Sequence, residues 1–252
     1  MSAARRLAWS WLGRRPYAET VALQEALRRA VKVGQIGDQL LLLEHDPPVY
    51  TVGKNADAAD VRAGEDWLAA AGIEVHPTSR GGQVTYHGPG QLVGYPIVDL
   101  SPDRRDVRRY VRDLQEVIIR TLAGHGLTAH RRDGQAFIGV WVGEEDGPRL
   151  AARKIASIGV HLSRWVSMHG FALNVAPDLA HFGGIVACGL EDVTMTSMAA
   201  EGVDPVPTPE ALAPTVAAHA ADLLGRDLAR LDPGAVAAAA AAAPPAKGKK
   251  KR

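Results

Sequence analysis

Between residues 78 and 90 the chain reads Thr-Ser-Arg-Gly-Gly-Gln-Val-Thr-Tyr-His-Gly-Pro-Gly. No stable helix runs through such a stretch, because glycine and proline cost a helix interior about 1 and about 3 kcal/mol relative to alanine. The segment is therefore a loop or a strand–loop–strand hairpin, and the chain on either side must fold as separate short elements. Glycine at this density also lets backbone approach a ligand closely or adopt positive φ. The break is thus a candidate binding loop as well.

Before it, Leu23, Ala26, Leu27, Ala30 and Val31 recur at helical spacing between Pro16 and Gly34. Gln39 to Glu44 reads as a short buried strand broken by Pro47 and Pro48, Val49 to Val52 as a second strand, and Asp66 to Ala71 as a small helix stopped by Gly72. After it, Leu92 to Leu100 is extended and mostly apolar. Val107, Tyr110, Val111, Leu114, Val117, Ile118, Thr121 and Leu122 trace the clearest amphipathic helix. Strands are expected at 137–142, 155–160 and 171–175, with a glycine-rich hairpin turn between the first two. A last helix opens at Thr208, a good N-cap, with Pro209 at its first position, and runs to Gly225. Strands outnumber helices, and the helices fall between groups of strands. This predicts an α+β fold, a mixed sheet with helices packed on one face. Residues 1–232 are assigned to a single domain. The poly-alanine, Pro244-Pro245 and terminal basic cluster of 233–252 offer no apolar pattern and read as a disordered tail.

A formal net charge of +1 gives the whole chain no strong electrostatic preference. Nucleic-acid binders gather a basic excess on one face, and few aromatic side chains are available here to stack on bases, so no nucleic-acid partner is expected. Arg104, Arg105, Arg108, Arg109 and Arg112 do cluster, as a solvated helix face or as a partner-docking patch. No apolar run approaches the roughly 20 residues of a membrane span, so no membrane association is expected. One cysteine cannot form an internal disulfide, and nothing points to an oxidising compartment. The Arg-rich N-terminus has a faint transit-peptide character. Leu7 to Leu12, however, is too short for a secretory core and continues into a segment that looks structural, so the expected location is the cytoplasm.

Three features can carry chemistry. Arg80 and His87 bracket the glycine block, and both can orient a carbonyl or carboxylate; an elaborate turn is the alternative. Lys154 stands before the apolar strand Ile155-Ala156-Ser157-Ile158-Gly159-Val160. It is either a solvated gatekeeper at a strand edge or a cation held over a site, favouring a thiolate, a developing oxyanion or an acid leaving group. Cys188, beside Gly189 and just after Gly183-Gly184, is either a small core hydrophobe or a nucleophile. A thiol with an ordinary pKa of about 8.5 needs a nearby cation or base to react; Lys154 can supply the one, and His87 or His169 the other. Spacing does not choose between these readings. His45, His76, His125, His130, His161 and His181 show no metal-ligand spacing, and neither a Walker-type loop nor a dinucleotide fingerprint occurs. No metal or cofactor is expected.

Taken together, these segments resemble the lipoyl(octanoyl) transferase family, the octanoyltransferases of lipoate biosynthesis. The resemblance rests on Leu12-Gly13-Arg14-Arg15-Pro16-Tyr17, Leu23-Gln24, Glu44-His45, Val49-Tyr50-Thr51-Val52-Gly53, the whole of 80–91, and Tyr95-Pro96. It continues through Lys154 to Val160, His169-Gly170-Phe171-Ala172-Leu173-Asn174-Val175, Cys188-Gly189 and Thr196-Ser197. It implies a biotin/lipoate protein ligase-like catalytic domain and an ATP-independent ping-pong reaction. The octanoyl group would pass from octanoyl-acyl-carrier-protein to Cys188. From there it would go to a lysine of lipoyl domains, in 2-oxoacid dehydrogenases and the glycine cleavage H protein. Lys154 would lower the thiol pKa and serve proton transfer. Carried over residue by residue, the substrate-binding positions are Arg80, Gly81, Gly82, Gln83, Val84, Thr85, Tyr86 and His87, with Ser157, Ile158 and Gly159, and Gly170, Phe171 and Ala172. Two features depart from the family pattern: Ala187 stands where proline is expected, and the Ala/Pro/Lys tail lies outside it. An ATP-dependent ligase of the same fold would need no cysteine, and a silent acyl-binding module would need neither Cys188 nor Lys154. A thiol amidase or amidotransferase would differ in its acceptor.

Overall fold

The computed structural model describes residues 5–101, 103–144, 152–186 and 193–246. Strand β1 (Arg6–Arg15) leads through Pro16 into helix α1 (Tyr17–Lys32), and β2 (Asp38–His45) pairs parallel with β1. The strands β3 (Val49–Val52), β4 (Glu74–Pro77) and β5 (Val84–His87), with helix α2 (Glu65–Ala71) between the first two, form a small sheet ordered β4-β3-β5. The chain enters the main sheet again as β6 (Gln91–Ile97) and crosses it as α3 (Val107–Ala123). It continues through β7 (Ala129–His130), β8 (Gly139–Gly143), β9 (Ala152–Ser163) and β10 (Val166–Asn174). Then follow β11 (Thr194–Met195), α4 (Pro209–Leu224), β12 (Asp227–Arg230) and α5 (Pro233–Ala241). Among the described residues the main sheet runs β12-β1-β2-β6-β10-β9-β8-β7, with β11 pairing beside β9 off that path. Parallel pairs at the β12-β1-β2 edge and antiparallel pairs beyond make it mixed.

Helices cover both faces of this sheet, where one covered face was expected. Leu40 and Leu42 of β2 join Leu92, Leu173 and the inner stripes of α3 and α4 in one core. Leu41 and Leu43 turn the opposite way, onto Leu27 and Val31 of α1, Val93 of β6 and Val236 of α5. Successive strand side chains alternate between faces, so four consecutive leucines, each at most 1% exposed, can all be buried only between two layers. Arg226 donates from Nε to Asp38 Oδ2 at 2.8 Å and Arg5 from Nη2 to Asp38 Oδ1 at 2.9 Å, tying the segments that lead into β12 and β1 to the start of β2.

The stretch from residue 233, expected to be disordered, instead forms α5 as far as Ala241. Asp232 caps it by accepting the Gly234 N–H at 2.7 Å, Pro233 opens its first turn, and alanine is the best helix former. Val236 anchors it, 1% exposed, and Arg29 Nε and Gln35 Nε2 donate to the carbonyls of Pro244 and Ala242. A single valine among alanines leaves too weak a periodicity to read as an amphipathic face. The basic cluster at 247–252 and most of the turn expected between β8 and β9 lie outside the described residues.

Ending the chain at Asp232 should lower the unfolding free energy by about 2 kcal/mol, the scale of one fully buried valine. Urea unfolding monitored by circular dichroism measures this; an unchanged midpoint would show that α5 contributes nothing to the fold.

Candidate active site

The glycine block is held between the two sheets by Arg80, itself buried. Its Nε and Nη2 donate to Thr51 Oγ1 at 3.2 and 2.8 Å, Nη2 also to the Thr51 carbonyl at 2.5 Å, and Nη1 to the Gly81 carbonyl at 3.1 Å. On the main-sheet side the Gly81 N–H donates to the Val160 carbonyl at 3.0 Å; on the other, Lys54 and Asn55 N–H groups donate to the carbonyls of Arg80 and Gly82 at 3.1 and 3.2 Å. The approach leaves no room for a side chain at Gly53, where a Cβ would stand 2.2 Å from the Gly82 carbonyl oxygen.

A cavity of about 610 Å³ opens between this loop, β9, β10 and the first turns of α3. That is an ordinary size for a small-molecule site. The expected substrate-binding positions of 80–87 line it with the exception of Tyr86, and so do Ser157, Ile158 and Gly159 of β9 and Gly170, Phe171 and Ala172 of β10. Alternation along β5 turns Tyr86 away, into the small-sheet core with Tyr50 and Phe182, where its hydroxyl meets His181 Nδ1 at 2.9 Å. Sequence reasoning did not single out Tyr17, Tyr95, Val107, Val111 and Ile138 as site residues, although all five line the cavity. Val107 and Val111, four apart at the edge of α3's apolar stripe, were the legible signal.

The polar wall carries His87 and His169, far apart in sequence, with His45 bonded behind Tyr95. Gln91 Nε2 donates to Asn174 Oδ1 at 2.8 Å and to the Tyr86 carbonyl at 3.2 Å, which leaves Gln91 Oε1 to accept from His87 Nδ1 at 2.7 Å. His87 therefore carries its proton on Nδ1 and offers Nε2 as an acceptor. Burial, reinforced by His45, pushes its pKa well below 6.5. His45 donates from Nδ1 to the Arg15 carbonyl at 3.0 Å and accepts from the Tyr95 hydroxyl at Nε2, 2.7 Å away; burial pushes it down to about 4. His169, at φ 61°, has its N–H held by Gln24 Oε1 at 2.9 Å and its Nε2 3.2 Å from Ser79 Oγ; burial, with Arg80 nearby, pushes it down to about 3. Among the described residues no three His, Cys, Asp or Glu side chains gather as a metal site.

Lys154 lies inside β9, not at its edge, because the strand begins at Ala152. It is 1% exposed, with Nζ donating to the Ile138 carbonyl at 3.0 Å and lying 5.4 Å from the Trp141 ring centroid. Its niche depends on Gly139: a Cβ there would come within 2.5 Å of Lys154 Cε. Cys188 falls outside the described residues, as do Ala187 and Gly189. Downstream of it the chain runs beside β9, with Met195 in register with Lys154 and the Thr196 N–H donating to the Lys154 carbonyl at 2.9 Å.

Residues 16–220 match the model of the lipoyl protein ligase A/B catalytic domain, and the chain belongs to that family. Over 192 residues it is 55% identical to a protein of Solibacter usitatus named octanoyltransferase, covering 76% of this chain and 82% of that one. An octanoyltransferase of Myxococcus xanthus is 52% identical over 190 residues, which are 75% of this chain but only 52% of that longer protein. The fold is shared with a bipartite lipoate protein ligase from Thermoplasma acidophilum at a TM-score of 0.72 and 18% identity, over 94% of this chain and 91% of the other.

Two outcomes follow from this geometry. Gly53→Ala should displace the 80–83 loop and lower kcat/KM for the family reaction by roughly 10²-fold, the scale of a misplacement of about 1 Å. Its circular dichroism should be that of the parent; parental activity would show that the loop tolerates the shift. The second concerns pH. Folded His45, His87 and His169 refuse protons that the unfolded chain accepts near the ordinary histidine value of 6.5. Their contribution to stability is therefore whole above that pH and falls as pH drops toward their lowered values, by at most about 1.4 kcal/mol per pH unit for each ring. Urea unfolding between about pH 7 and 5 should show this slope, and His169→Gln should flatten it.

Proposed function

We propose that this protein transfers an octanoyl group from octanoyl-acyl-carrier-protein to a lysine of lipoyl domains, through a thioester on Cys188, as the first step of endogenous protein lipoylation. The observation that carries the reading is one cavity wall. Ile138 lines the cavity while its carbonyl accepts the Lys154 ammonium, so the buried cation sits directly behind the chamber. Ile158, Phe171, Val107 and Val111 supply apolar surface in the same chamber. At about 0.8 kcal/mol per buried methylene, the tail of an eight-carbon acyl group would gain roughly 5 kcal/mol there. Family membership and the octanoyltransferase relatives support the same chemistry.

In the first half-reaction the Cys188 thiolate attacks the donor's thioester carbonyl carbon. The tetrahedral oxyanion collapses, the bond to the carrier sulfur breaks, and the leaving thiolate takes a proton from the Lys154 ammonium. In the second, the acceptor lysine's amine attacks the enzyme thioester, Cys188 leaves as the thiolate, and neutral Lys154 takes the amine's proton. A buried ammonium favours an anionic neighbour, which is the role Lys154 would serve toward the thiol. His87, neutral with Nε2 facing outward from its Gln91 bond, offers an acceptor for the substrate. Backbone N–H groups of the glycine loop would steady the oxyanion. The acceptors expected are lipoyl domains of 2-oxoacid dehydrogenases and the glycine cleavage H protein. Among the described residues no helix is long and apolar enough to cross a membrane; the cytoplasm is the proposed location.

Intact-mass spectrometry after mixing with octanoyl-carrier should show one octanoyl-sized increment on Cys188, absent in Cys188→Ala. In Lys154→Ala it should form roughly 10²-fold more slowly. Transfer without any adduct would sink the covalent route, and ATP-dependent loading of free octanoate by Cys188→Ser would reassign the chain to ligase chemistry.

A further inference from the structure

The N-terminal half of α3 breaks two electrostatic preferences of helices. Anionic side chains suit a helix N-terminus and cationic ones oppose its dipole, yet its first turn holds no acid and carries Arg108 and Arg109. Like charges four residues apart on a helix repel, yet Arg108 and Arg112 stand so, while Arg104 and Arg105 lie just before the N-cap. The nearby acids offset little of this: Asp113 faces Arg109 as well as Arg104, and the others are engaged elsewhere. Asp113 holds Arg104 at 2.6 Å, Asp103 is bound to Arg226 and Arg5, Glu116 to Arg120 and Arg131, and Asp106 is the N-cap. Arg105, Arg108, Arg109 and Arg112 are all exposed. No salt bridge within the described residues engages them. Val107 and Val111, interleaved with these arginines, line the cavity.

We infer that this arginine face of α3, the helix whose Val107 and Val111 line the cavity, is the docking surface for the acidic carrier domain that delivers the acyl thioester; the inference rests on the octanoyl-transfer reading above. Two protein partners must visit the same mouth, and charge separates them. The donor carries its acyl group on an arm with an anionic phosphodiester, from an acidic domain, both complementary to guanidinium groups. The acceptor presents a cationic lysine, which the same groups repel. The helix therefore steers the donor, and its valines hand the chain from the carrier to the cavity.

The test is the double variant Arg108→Glu/Arg112→Glu, with Arg108→Gln/Arg112→Gln as the milder form should the first fold poorly. Acylation is followed with two donors: octanoyl-carrier, and octanoyl-pantetheine, which has neither phosphate nor protein body. The carrier's kcat/KM should fall roughly tenfold or more and lose its salt sensitivity. The rate with octanoyl-pantetheine, and transfer from the preloaded enzyme to a lipoyl domain, should match the parent. An equal loss with both donors, an unchanged rate with the carrier, or a loss confined to the transfer onto the lipoyl domain would overturn the inference. If the parent enzyme is acylated by neither donor, the octanoyl reading itself fails, and the docking inference with it.

Discussion

A single guanidinium holds the two halves of this molecule in register. Arg80 saturates Thr51 on the small sheet with three hydrogen bonds, while the residue after it bonds Val160 on the large one. Removing a buried charged donor would take these bonds from Thr51 and from the Gly81 carbonyl in a region of low water access, where an unmade hydrogen bond costs more than a made one contributes. The glycines around Arg80 exist for the same reason. Backbone can stand in for side chain only where no Cβ intervenes, and Gly53 shows how closely the strands and loop approach. The cavity is the space that this tethering leaves over β9 and β10.

Much of the fold was legible in the chain because the elements that matter are locally consistent. The stripe of α3 and the Thr208-Pro209 and Gly225 punctuation of α4 each satisfy local and tertiary demands together. What sequence reasoning missed were features whose signal exists only in three dimensions. The leucine run 40–43 read correctly as a buried strand. That it has covered layers on both sides is implicit in the absence of any polar residue in the alternation. The α5 helix failed to register because alanine supplies helix propensity without amphipathic contrast. β4 and β12 owe their extended state to neighbours in the sheets, not to a pattern of their own, whereas β1 carries one in Leu7, Trp9 and Trp11, which alternate toward the core.

The site divides in the same way. The glycine block and the Ser157–Gly159 and Gly170–Ala172 stretches face one chamber, and the motif's continuity made them visible. Tyr86 shows the limit of carrying a run over whole: a strand gives alternate residues to alternate faces. The histidines looked scattered because their association runs through hydrogen bonds across the sheet, from Gln91 to Asn174 and from His45 to Tyr95. Lys154 looked like an edge residue because the apolar run begins one residue later, while the backbone ladder begins two residues earlier.

Gly139 and Lys154 form a matched pair, a notch and the rod that fills it. The lysine's aliphatic stem occupies the volume in which any other residue at 139 would place its first carbon. Position 139 is closed from a second side as well: the same Cβ would stand 2.6 Å from the Ala156 carbonyl oxygen, and Gly139 adopts φ 154°, so glycine is required there whichever residue stands at 154. A glycine held bare from two sides gives the lysine stem a fixed floor, so the place of Nζ is set by backbone and not by a neighbour that could repack.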